Sequence, residues 1–368
     1  FVTLGLAATA AMLVWGLARG GSIRHMYLQV YGIVILLSLL GTVARIGDST
    51  LARRCWHLVL AVGLYRATLA VFVYLTEARA LDAPPLYLTS HADSITWTLC
   101  IVYLAARLLE RPDVTMRVAA VGAGAWIGLA VVVNNRRLAW VMIAAAVAYT
   151  VVTAIGPARR RLRQILAVAA PLLVAYVAAG WVAPPSRYLA PAQSLKSVVS
   201  GDDRSSQTRS IEDFNLLFTV RSSFPFPNGF GHEYVEWIVA DDISAAFEQY
   251  RYLPHNSVLG LLTMIGPIGL ALVVVPLVLA VHASHRTLRR HSSPRRRVDA
   301  AMVVGAWISF LAFAWGDLGF FTPQPTAVMG IVGGLGLAIA SRVSQSAPHE
   351  QASQPSPGPL LGRRKAAT

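Results

Sequence analysis

Apolar runs of about 17 residues or more recur along almost the whole chain. Each is long enough to cross the ~30 Å hydrocarbon core of a bilayer as a helix. Hydropathy marks ten such spans, at 2–18, 26–44, 57–76, 94–109, 117–133, 138–156, 164–183, 256–281, 300–316 and 325–341. Of the 368 residues, 55% are hydrophobic and only 14% are charged, against about 25% charged in soluble domains. The pattern predicts an all-α fold, a polytopic transmembrane helical bundle. Phe1 already lies inside an apolar run, so the N-terminus is expected to be truncated, with one or more earlier spans missing. Cys55 and Cys100 follow neither metal nor disulfide spacing.

The net charge of +14 would suggest nucleic acid in a soluble protein. Here it follows from topology. The loop after the eighth span carries Arg286, Arg289, Arg290, Arg295, Arg296 and Arg297, which places it in the cytoplasm by the positive-inside rule. Alternation then puts the loops around 45–54, 107–117 and 157–163, and the tail, on the same side. These segments hold 20 Lys and Arg against 5 Asp and Glu, whereas the other side holds 11 against 13. The excess of positive charge thus needs no nucleic acid partner, and it suits contact with anionic lipid head groups. Four regions follow: seven spans over 1–183, a large external segment over 184–254, three spans over 255–343, and a Ser-, Pro- and Gln-rich tail over 344–368 that reads as disordered.

The external segment is the one long polar stretch. Ser210-Ile-Glu-Asp213 has capping-box spacing, with Phe214, Leu217, Phe218 and Arg221 following at helical intervals. This predicts a short amphipathic helix over about 211–222 with Arg209 at its mouth, where free N–H groups and a planar guanidinium favour phosphate oxygens. A Pro- and Gly-rich turn follows, and Asp241-Asp242 opens a second expected helix with Ile243, Phe247 and Tyr250 on one face. Tyr234, Trp237, Phe247, Tyr250 and Tyr252 are candidates for stacking on sugar rings or, equally, for an interfacial aromatic belt.

His255 and Asn256 stand where this polar segment meets the eighth span. That span is broken by Gly266-Pro267-Ile-Gly269, because proline removes a helical hydrogen bond. Broken backbone within a membrane must be received by protein or by a wet cavity, so the first turns of the span are expected to face a polar cavity. Alone, Pro254-His255-Asn256 is also an ordinary helix start. On the same side, the tight turn Asn134-Asn135-Arg136-Arg137 places two arginines against the charge bias, which calls for a cause other than topology. Arg66 lies within the third span, where a charge costs roughly 2.5–3.5 kcal/mol. It reads as a functional residue or as half of an ion pair with a neighbouring helix. His232-Glu233 and Glu236 lack the His-Glu-x-x-His spacing of a metal site, so no metal is expected.

Several pieces of this pattern resemble the O-antigen ligase and polymerase superfamily of bacterial membrane glycan transferases. They are Arg209 with its downstream helix, Pro225-Phe-Pro-Asn-Gly-Phe-Gly231, the run His255-Asn256-Ser-Val-Leu-Gly-Leu-Leu-Thr-Met-Ile-Gly-Pro-Ile-Gly269, and Asn135-Arg136-Arg137-Leu-Ala-Trp140. The resemblance covers about 115–270 in motif and the rest in hydropathy alone. Asn135 and Arg137 stand where the family often has Ser and Gly, which leaves Arg136 and Arg137 as rival candidates.

The resemblance implies an inverting, metal-independent transferase without cofactor. It would move a glycan from an undecaprenyl-pyrophosphate carrier to a hydroxyl of a glycan or lipid-glycan acceptor, as polymerase or as ligase. His255 would be the general base, and Arg136 and Arg209 would hold the pyrophosphate. Arg137, Arg221, Asn256 and Tyr252 are further substrate-binding candidates. The enzyme would be a multi-pass protein of the bacterial inner membrane, with its active site facing the periplasm or exterior. The chemistry is coherent: histidine, with a reference pKa near 6.5, suits base catalysis at neutral pH, and fixed arginines stabilise a departing pyrophosphate. A secondary transporter or flippase of lipid-linked sugars is the rival reading, and Arg66 is the one residue that favours a mid-membrane site.

Overall fold

The structure, a computed structural model, describes residues 1–78, 88–110, 113–153, 156–184, 186, 189, 192–193, 196, 204–239, 243–244, 247–290 and 293–352. All ten expected spans are helical: α1 (Val2–Ala18), α2 (Ile23–Ile46), α3 (Ser49–Thr76), α4 (His91–Glu110), α5 (Val114–Asn134), α6 (Arg137–Thr153), α7 (Gly156–Val182), α9 (Ser257–Arg290), α10 (Pro294–Gly316) and α11 (Pro323–Ala352). The remaining helix, α8 (Arg204–Ser223), belongs to the long connection between α7 and α9. Eight helices have the length and apolar character to cross a membrane, while Val2–Ala18 and Arg137–Thr150 are shorter apolar helices. The protein is an all-α, multi-pass membrane bundle.

Side-chain caps fix two helix starts at one end of the bundle. Asp48 accepts from Thr50 N and Leu51 N at 2.9 and 2.6 Å, and Asp113 accepts from Met116 N at 2.8 Å, as free N–H groups at a helix start require. The deepest helix is α10, which threads Trp307, Phe310 and Phe313 through the core beside α4 and α6, and α2 packs along α11. By contrast α7 leaves Leu172, Leu173 and Val174 exposed, apolar surface that suits hydrocarbon. The last helix runs to Ala352, past Ser344 where a disordered tail is expected, and 353–368 lie outside the described residues.

The broken span departs from expectation in an instructive way. Gly266 interrupts α9 with φ 67° and ψ 179°, a left-handed φ open to glycine. Pro267 has no N–H to give Thr263 O. The freed carbonyls are received by protein, the Pro- and Gly-rich turn of the external segment, with Asn228 N donating to Thr263 O and Gly229 N to Met264 O, each at 3.1 Å. The turn is wedged between α9 and α1: Trp15 Nε1 donates to Pro227 O at 2.8 Å, and Gly16 leaves room for the Phe230 backbone, which any Cβ there would strike.

Helix α8 is also a correction. It begins at Arg204, so Arg209 lies inside it rather than at its mouth, and Ser210 Oγ donates back to Ser206 O at 3.0 Å instead of capping. Its buried stripe is Glu212, Asn215, Leu216 and Thr219, while Phe214 and Leu217 face outward. The cause is local pairing. Asn215 exchanges two hydrogen bonds with the Ile238 backbone at 2.8 and 2.9 Å, and Thr219 Oγ1 accepts from Val235 N at 2.8 Å. A polar stripe therefore faces inward because it holds the loop that follows. Asp241 and Asp242, where a second helix is expected, lie outside the described residues; Ile243 and Phe247 are irregular and Tyr250 falls in a turn.

Candidate functional site

Three arms converge at the end of the bundle that carries the long connection. The first is the turn between α5 and α6. Asn135 takes a left-handed conformation at φ 50°, which asparagine tolerates. Asn134 Oδ1 accepts from Leu88 N and Thr89 N, each at 3.0 Å, and so pins the chain that enters α4. Arg136 can then donate from Nε and Nη2 to Thr89 O at 3.1 and 2.6 Å, and from Nη1 to His91 Nε2. Arg136 is buried, whereas Arg137 is half-buried in the first turn of α6. Of the two rival arginines, Arg136 is the one turned into the site.

The second arm is the end of α10. His91 Nδ1 pairs with Asp317 Oδ2. Since Nε2 receives a hydrogen from Arg136, Nδ1 carries the imidazole proton and donates it to Asp317. The result is a relay of alternating character: guanidinium, imidazole, carboxylate. Burial would raise the Asp317 carboxyl, but the His91 hydrogen bond, the Leu318 N–H and nearby His255 together hold it below the usual range. A buried carboxylate survives on such terms and not alone.

The third arm joins α8 to the start of α9. The buried carboxylate of Glu212 meets His255 twice: its Oε1 accepts the His255 backbone N–H at 3.1 Å, and its Oε2 lies 3.3 Å from His255 Nδ1. His255 is partly open, its side chain 29% exposed. Its Nε2 has no hydrogen-bond partner among the described residues. A carboxylate at Nδ1 favours the tautomer with its proton there, which leaves the Nε2 lone pair facing outward. Phe247 flanks the ring edge-on at 6.0 Å. Asn256 is both cap and strut: Oδ1 accepts from Leu259 N at 3.1 Å, and Nδ2 donates to Asp213 at 3.0 Å. Burial raises the Asp213 carboxyl and the Glu212 charge adds to this, against the opposing Asn256 bond and Arg209 charge.

Arg209 completes the cluster. Its Nη1 lies 4.0 Å from where a Cβ on Gly316 would stand, one residue before Asp317. It has no hydrogen-bond partner among the described residues. The two arginines thus differ: Arg136 is largely occupied by protein acceptors, and Arg209 has its donors to spare. The site is not the purely cationic clamp expected from sequence, because Glu212, Asp213 and Asp317 are interleaved with the arginines.

Other candidates lie elsewhere. Arg221 is exposed in the last turn of α8, twelve residues and so roughly 18 Å along the helix from Arg209. Tyr252 stacks on His25 of α2, with centroids 3.5 Å apart. Tyr234 and Tyr250 are buried, and exposed Trp237 stacks on Phe218 at 4.6 Å. Arg66 forms a two-pronged pair with Asp93 of α4 at 2.7 and 2.6 Å, which is the ion-pair reading of that residue. Among the described residues no group of three or more His, Cys, Asp or Glu could hold a metal ion.

Sequence reasoning missed His91, Glu212 and Asp317 as site residues. Asp317 carried a faint signal, an acid directly after an uninterrupted apolar span. Glu212 gave no signal of its own, being an intervening position of the Ser210–Asp213 capping-box spacing. Gln29 gave no signal, yet its amide ties the middle of the external segment to its end: Nε2 donates to Tyr252 O at 2.8 Å and Oε1 accepts from Gly231 N at 2.6 Å. No family model matches the chain, and no curated protein matches it either.

Proposed function

We propose that the chain is a membrane glycan transferase that moves a glycan from an undecaprenyl-pyrophosphate carrier to an acceptor hydroxyl, in polymerisation or ligation. The observation that supports this most is the Glu212–His255 pair, whose Nε2 has no hydrogen-bond partner among the described residues, at the same end of the bundle as Arg209. In the reaction, His255 Nε2 takes the acceptor's hydroxyl proton. The oxygen attacks the anomeric carbon, the carbon–oxygen bond to pyrophosphate breaks, and configuration inverts. Glu212 stabilises the imidazolium that forms, a charge that otherwise costs heavily in a water-poor site.

Arg209 binds the departing pyrophosphate through its available fork. Arg136 acts from behind, holding His91 and the ionised Asp317 in place and adding its charge to the local field. Such base catalysis is worth on the order of 100- to 10,000-fold. The charge bias of the loops supports a reading in which this end of the bundle faces outward from a bacterial inner membrane. Arg66, the residue that favours a transporter reading, is paired with Asp93. Incubating the purified chain with a fluorescent lipid-linked oligosaccharide separates the two: a new glycosidic product supports the transferase, and movement of donor across a vesicle without bond formation overturns it.

A further inference from the structure

The opposite, arginine-rich end of the bundle contains a cavity of about 270 Å³ between the starts of α3 and α10 and the end of α4. Arg53, Arg107 and Arg295 line it, and Asp299 is the one carboxylate among the described lining residues. Asp299 is buried, and one of its oxygens accepts from Trp56 Nε1 at 2.9 Å. Arg295 spends one Nη2 bond on Ser49 O at 2.8 Å. The Nε of Arg107 is buried with no hydrogen-bond partner among the described residues. The first turns of α3 and α10 add the positive ends of two helix dipoles. Three guanidiniums around one carboxylate repel one another unless an anion joins them, and a buried donor left unpaired costs free energy comparable to a lost hydrogen bond.

We propose that this cavity binds a phosphate group, either the headgroup of an anionic phospholipid or free inorganic phosphate. Guanidinium forks match phosphate oxygens in geometry as well as charge. Beyond His57 at the cavity mouth, α3 exposes Leu58 and Val62, a surface on which acyl chains can lie if the phosphate belongs to a lipid. The inference is independent of the transferase reading, because no residue of the cavity belongs to the site at the other end.

The test uses the full chain in phosphatidylcholine nanodiscs, with thermal unfolding measured as phosphatidylglycerol is titrated in, or as inorganic phosphate replaces chloride at fixed ionic strength. The wild type should be stabilised in one arm, and that arm identifies the source. The pair Arg53→Gln and Arg107→Gln should need at least about fivefold more ligand for the same shift. Arg286→Gln with Arg296→Gln, exposed on the same side, should behave as wild type. Should the buried Arg107 variant fail to accumulate, exposed Arg53→Gln alone carries the comparison. No stabilisation in either arm, or equal weakening by the cavity and surface variants, overturns the proposal.

Discussion

The two ends of this bundle handle arginine in opposite ways. At the end of the long connection several arginines are met by something specific: Arg136 by Thr89 and His91, Arg66 by Asp93, Arg251 by Glu236 at 2.6 Å. Only Arg209 among the described site arginines keeps its donors free. At the other end arginines outnumber acids, and several line a cavity with one carboxylate among its described lining residues. Charge by itself therefore says little about chemistry. A bias of charge reports which side of a membrane a loop occupies. A network in which acid, imidazole and guanidinium are matched, with one base and one cation left over, reports a place built for a reaction.

The sharpest way to break the contrast is to remove the best-paired arginine. Arg136→Ala should cost about 3 kcal/mol, because it leaves Thr89 O and the His91–Asp317 pair without the buried cation that holds them. The variant should fail to accumulate in membranes, whereas Arg53→Ala at the other end should accumulate normally, as immunoblots of membrane fractions would show. Next is Arg209→Lys, which keeps the charge but loses the planar fork. Activity should fall about 10- to 100-fold with little change in thermal stability. Wild-type activity would move the pyrophosphate contact to another cation.

Glu212→Gln should lower turnover by about tenfold and change the pH–rate profile, because the imidazolium loses its carboxylate. An effect on stability alone, with an unchanged profile, would make Glu212 a strut. A smaller effect belongs to acid. The Asp317 carboxyl titrates below its ordinary value, so the stability from its ionisation is full above about pH 4 and is lost as pH falls further through the depressed value. Wild type should therefore unfold more steeply than Asp317→Asn in that window. At the bottom of the scale, exposed Arg221→Gln should change both stability and turnover by less than about 0.5 kcal/mol.

The helical architecture was legible because apolar runs of membrane length leave the backbone few options. Arg136 and His255 stood out for a similarly simple reason: one opposes the charge bias, and the other sits where a polar segment enters a span. Their partners were not legible. Nothing in Thr89-Ser90-His91 foretells that Asn134, over forty residues later, will pin that stretch beneath Arg136. Helix α8 misled because its apolar residues, Phe214 and Leu217, are the outward ones. Hydrogen bonds from Asn215 and Thr219 to a later loop outweigh the burial of two hydrophobic side chains. The kink at Gly266 was correctly read as needing a partner, and that partner is the turn at Asn228 and Gly229, 35 residues before the carbonyls it meets. In each case the deciding contact spans long sequence separation, which periodicity cannot report.

The role of His255 can be put to a single trial. Purified wild type and His255→Ala are loaded with lipid-linked oligosaccharide donor, and acceptor is added under single-turnover conditions. If Nε2 is the base, His255→Ala retains the donor at near wild-type affinity and forms product at least about 100-fold more slowly. Product at the wild-type rate from that variant would contradict the assignment.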